Sequence, residues 1–137
     1  WEHQQDLDPG YSKEDIRYLE SLPTYKVLST PELNILFSHY IYPNLSGFVK
    51  GFYKREEEFQ AHFVFMEEQG CSLCFTGHAH PKSYYKVQLF ESIQYRRRQI
   101  QLSKLPAIVG IPPVTRNHHR GGFCIFDTQN RRLQVLK

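Results

Sequence analysis

Apolar residues fall in short blocks along this chain, and the spacing within each block predicts an element. Phe59, Phe63 and Met66 recur at intervals of four and three, which predicts a helix over Tyr53 to Gln69 with Gly70 as its C′ stop. Ile16 and Leu19 give an apolar side to a shorter helix over Lys13 to Ser21. Ser12 and Asp15 form its capping box and Pro23 ends it. Compact apolar runs predict strands at Tyr25 to Leu28, Leu33 to Phe37 and Ser72 to Phe75. Further strands are expected at Tyr84 to Phe90, Ser92 to Leu102, Ala107 to Val109, Phe123 to Phe126 and Leu133 to Leu136. Thr128-Gln129-Asn130 reads as a hairpin turn, and Pro43, Asn44, Ser46 and Gly47 make Tyr40 to Gly51 a loop. Helices and parallel-type strands come first and an antiparallel run follows, so the expected class is an α/β sandwich.

At 137 residues and 40% hydrophobic, the chain has material for one core, and a single domain over 1–137 is the expectation. Lys and Arg number 17 against 14 Asp and Glu, a net charge of +3 that demands neither a nucleic acid nor a membrane as partner. No apolar run reaches the roughly 20 residues that span a bilayer. Three cysteines, Cys71, Cys74 and Cys124, make no even disulfide framework, so reduced thiols in a cytoplasm are expected. The chain opens on Trp1 with Met66 as its one methionine, as a processed or truncated product would.

The chemistry concentrates at two strand ends. Ile35-Leu36-Phe37-Ser38 runs into His39, and Leu73-Cys74-Phe75 runs into Gly77-His78-Ala79-His80. Two neighbouring strands that each deliver histidine at the C-terminal end read as a metal site at the rim of a sheet. The glycine ahead of the His pair is expected to let the backbone turn where a side chain would block a ligand.

An apolar strand ending in His39, a helix, then a strand ending in Gly-His-x-His resembles the C-terminal half of the calcineurin-like metallophosphoesterases. The tail is similar as well: Val109-Gly110-Ile111-Pro112-Pro113-Val114-Thr115-Arg116, then Gly122-Phe123-Cys124-Ile125-Phe126-Asp127. The resemblance spans nearly the whole chain and implies the C-terminal half of a four-layer α/β/β/α sandwich with a two-metal site at the strand ends. It implies hydrolysis of a phosphate ester by a metal-bound hydroxide, with two divalent ions of Mn, Fe or Zn. His39 and His78 would share one metal and His80 would reach the other.

The family's Asp-x-His, Gly-Asp-x-x-Asp and Gly-Asn-His-Asp/Glu segments do not occur in this sequence. The resemblance therefore implies an N-terminal segment of the same protein, covalent or associated, to complete the site and the fold. Trp1-Glu2 aligns with the end of the third segment, with Trp1 where the family has a catalytic His, and an indole has no proton to give a leaving group. The alternative is a non-catalytic domain of the same fold that holds at most one metal.

Other motifs carry both a functional and a plain reading. Arg116, after the rigid Pro112-Pro113 pair, could hold a phosphate bidentately with His118 or His119 as a further donor, or belong to a solvated basic loop. Cys71 and Cys74 form a C-x-x-C. Residues three apart on a strand point to opposite faces, so core packing is expected rather than a zinc knuckle. His62, beside Glu58 and Phe63 on the long helix, reads as a surface or boundary residue, and His3 has no evident partner. Arg96-Arg97-Arg98 after Tyr95 reads as a charged sheet edge rather than a nucleic-acid grip. Tyr40, Tyr42, Asn44 and Phe48 either wall a substrate pocket or pack a lid.

Overall fold

The computed structural model describes residues 10–46, 53, 55–81, 84–88, 99–114 and 122–136, and the backbone of 94–96. It is a mixed α/β structure. In chain order the elements are α1 (Lys13–Ser21), β1 (Tyr25–Ser29), β2 (Asn34–Ser38), a 3-10 turn (Glu56–Phe59), α2 (Gln60–Glu68) and β3 (Leu73–Thr76). Then come β4 (Tyr84–Gln88), β5 (Gln94–Arg96), β6 (Gln99–Gln101), β7 (Ala107–Gly110), β8 (Phe123–Asp127) and β9 (Arg132–Leu136).

Six strands form one sheet in the order β1-β2-β3-β7-β4-β5, and three form a second in the order β6-β9-β8. The centre of the large sheet, β2-β3-β7, is parallel, while β1 and β4 join it antiparallel. The central strands are apolar on both faces, since each face packs on something. On one face Leu36, Cys74, Val87 and Ile108 meet Phe59, Phe63, Phe65 and Met66 of the helical segment. On the other, Ile35, Leu73, Phe75, Ala107 and Val109 meet Leu102, Leu133 and Val135 of the small sheet. The layers are therefore helix, large sheet and small sheet.

Local chemistry explains most boundaries. Ser12 and Asp15 cap α1 reciprocally, at 3.1 Å from the Asp15 amide to Ser12 Oγ and 2.9 Å from the Ser12 amide to Asp15 Oδ2. α2 ends in a Schellman turn: Gly70 has φ +64°, its amide donates to Glu67 O at 2.9 Å, and the Cys71 amide donates to Met66 O at 2.8 Å. At Gly110 the Tyr85 ring occupies the place a Cβ would take, so a larger residue would displace that ring.

Two expectations need correction. The long helix does not begin at Tyr53, whose amide donates to the Tyr40 hydroxyl at 2.8 Å and so ties it to the preceding loop. The α-helix proper starts at Gln60, after the 3-10 turn. The stretch Ser92 to Leu102 is not one strand: β5 edges the large sheet and β6 edges the small one, so the chain changes sheets between them. Arg96 lies on that edge strand, while Arg97 and Arg98 lie outside the described residues. α1 has no buried residue, Ile16 and Leu19 being only half-buried. Among the described residues no helix is long and apolar enough to cross a membrane.

Candidate metal centre

The parallel register brings three strand ends to one line, with Ser38 opposite Thr76 and Thr76 opposite Gly110. Backbone bonding continues past the strands: the Gly77 amide donates to His39 O at 3.0 Å and the Ile111 amide to Thr76 O at 2.8 Å. His39 and His78 are thereby held side by side. His78 Nδ1 stands 3.2 Å from His39 Nε2, and the rings meet edge to face with centroids 5.2 Å apart. The buried Tyr40 ring lies against His78 with centroids 4.4 Å apart.

Gly77 is not the residue that makes the turn. Its φ lies outside the left-handed region, and a Cβ there would make ordinary contacts of 3.6 and 3.7 Å with His39. The left-handed backbone belongs to the histidines, His78 at φ +36° and His80 at φ +43°. Positive φ is costly for residues with a Cβ, and such strain collects at functional sites. His80 is exposed. Its charge still reaches His39, whose pKa is lowered first by partial desolvation and then by His78 and His80.

The two ring nitrogens lie at hydrogen-bond distance, and their spacing is also the one that sharing an ion would require. Two nitrogens on a tetrahedral metal at bond lengths of about 2.0–2.1 Å stand about 3.3 Å apart, close to the spacing of His39 Nε2 and His78 Nδ1. A histidine held neutral by its surroundings presents the lone pair that a metal needs. Among the described residues no group of three or more His, Cys, Asp or Glu is arranged to hold a metal, and the convergence the structure shows is that of His39 and His78.

Arg116 and His118, expected to bind substrate, lie outside the described residues, as do Trp1, Glu2, His3, Phe48 and His119. The other members of the loop after His39 pack. Tyr42 stacks on Phe65 with centroids 4.9 Å apart, and Asn44 Nδ2 donates to the Tyr53 hydroxyl at 3.0 Å.

His62 is neither a surface nor a boundary residue. It is fully buried, 3.2 Å from Cys74 Sγ through Nε2, and receives the Tyr42 amide on Nδ1 at 2.8 Å. Burial pushes its pKa down to about 4. The signal was in the sequence: position 62 is three after Phe59 and four before Met66, on the same stripe. The strand-alternation argument for Cys71 and Cys74 also fails in its premise. Cys71 precedes β3, and both thiols join the core cluster on the helix side. Core packing remains their role, with burial pushing Cys74 up to about 12 and raising Cys71 as well.

No family model matches the chain, and no curated protein or solved structure matches it significantly.

Proposed function

We propose that this chain carries the histidine-bearing part of a metal-dependent phosphoesterase of the calcineurin-like type. One observation carries the reading: His39 Nε2 and His78 Nδ1 face each other at 3.2 Å where adjacent parallel strands end. His39 and His78 hold one divalent ion, of Mn, Fe or Zn, and His80 reaches a second. Such ions supply Lewis-acid stabilisation of a phosphoryl group, which would otherwise repel an anionic nucleophile. The imidazoles orient the ions, and the left-handed backbone at His78 and His80 aims the two rings. The ligand is a phosphate-ester small molecule, with Arg116 and His118 as its anchors.

Bridging carboxylates and a fourth layer come, in this reading, from a further segment. Its support is the open flank of the molecule. Among the described residues β8 pairs only with β9, and on the face of the large sheet that carries Ile35, Leu28 and Phe37 stand 47% and 39% exposed.

A second reading has its own support, since no third donor joins the pair among the described residues. The domain would then hold one metal and bind rather than hydrolyse. Metal content and hydrolysis of an aryl phosphate ester, measured on the protein as its cell makes it, separate the two. Loss of both in His39→Ala and His78→Ala, with circular dichroism unchanged, is expected. Metal without hydrolysis in the wild type would select the binding domain, and metal content unchanged in both variants would overturn the site.

A further inference from the structure

The loop after His39 is fastened to the core by a chain of hydrogen bonds whose direction follows from its two ends. The Tyr42 amide donates to His62 Nδ1 at 2.8 Å. A backbone amide has only a proton to offer, so Nδ1 accepts and the neutral ring carries its hydrogen on Nε2. That hydrogen points at Cys74 Sγ, 3.2 Å away. At the other end Ser38 Oγ lies 2.5 Å from Tyr40 O. A carbonyl only accepts, so the Ser38 hydroxyl proton is committed to it. Ser38 Oγ is then the acceptor at its 3.8 Å contact with Cys74, and the thiol proton lies between them. The path runs one way, from the Tyr42 amide through His62, Cys74 and Ser38 to the Tyr40 carbonyl.

This chain brackets the candidate metal centre. Ser38 is the residue before His39 and Tyr40 the residue after it. The Tyr40 ring in turn lies on His78, and its hydroxyl receives the Tyr53 amide. No buried side-chain nitrogen or oxygen among the described residues lacks a partner, so the hydrogen-bond chain is a fully satisfied one. We propose that His62, Cys74 and Ser38 are positioning residues, a directed hydrogen-bond chain that fixes the backbone on both sides of His39 and so sets the His39–His78 spacing. The proposal rests on the reading of that pair as metal ligands.

Ordinary packing would make Cys74→Ala and Cys74→Ser equivalent at the rim, whereas a directed chain separates them. Serine keeps a donor and an acceptor at that point and alanine keeps neither. The test is long-range proton–nitrogen NMR of the histidine rings in the full chain, wild type and both variants, with a Co2+ titration of each. The expected result is a neutral Nε2–H tautomer for His62. His39 and His78 ring signals should move in Cys74→Ala and return in Cys74→Ser. Co2+ binding should weaken tenfold or more in Cys74→Ala and stay within about threefold in Cys74→Ser. An Nδ1–H tautomer at His62, or His39 and His78 signals in Cys74→Ala coincident with wild type, would overturn the proposal. A wild type that takes up no Co2+ would fail the metal reading instead, while the ring signals still decide the positioning. Should Cys74→Ala not fold, Ser38→Ala takes its place by removing the donor to the Tyr40 carbonyl: His39 and His78 signals should move, and signals coincident with wild type would overturn the proposal.

Discussion

The two faces of the large sheet are finished to different degrees. On the helix side Leu36, Cys74, Val87 and Ile108 are sealed by Phe59, Phe63 and Met66, and the buried His62 imidazole has a partner on each nitrogen. On the small-sheet side Leu102, Leu133 and Val135 pack on Ile35, Leu73, Phe75, Ala107 and Val109. Leu28 and Phe37 are left half open there, and Phe123 and Ile125 point outward from β8 at 55% and 52% exposure. The closed face is the one that fastens the loop between His39 and Tyr42. The contrast teaches that the loop carrying His39 is tied into the closed face, whereas the small-sheet side leaves large apolar side chains exposed.

That comparison is broken most directly by matched truncations. Leu36→Ala empties a fully buried position on the closed face and should cost about 2–5 kcal/mol in denaturant unfolding. Leu28→Ala on the open flank should cost about 0.5 kcal/mol or less. Equal losses at the two positions would mean that the flank is as well packed as the core.

Acid sharpens the same contrast from within the closed face. His62 titrates at 6.5 when unfolded and at about 4 when folded, so between those values the unfolded chain binds the extra proton. Stability is then full above pH 6.5, falls as pH drops, and levels below pH 4, a span of about 3 kcal/mol. His39, also lowered, adds to the fall in the same direction. Unfolding free energies taken from pH 7 to pH 4 should show a shallower slope in His62→Phe than in wild type. An identical slope would mean that His62 reaches solvent.

Much of this was legible in the chain because it is local. The Ser12–Asp15 box, the Gly70 stop and the apolar runs into His39 and His78 depend on neighbours in sequence, and each stands where the pattern placed it. What escaped was set by tertiary partners. His62 looked polar and therefore exposed, yet Cys74 and the Tyr42 amide satisfy both nitrogens and let it sit in the core. Ser92 to Leu102 read as a single β run because alternation carries no information on which sheet a strand joins. Gly77 attracted the turn by its residue type, whereas the strain fell on His78 and His80.

The central claim is that His39 and His78 converge on a metal ion, and X-ray absorption at the zinc edge tests it most directly. The Zn2+-loaded chain should show two imidazole nitrogens at about 2.0–2.1 Å, falling to one in His78→Ala. Sulfur at about 2.3 Å would contradict the account, because it would put the metal on the cysteines and leave the paired imidazoles without their proposed role.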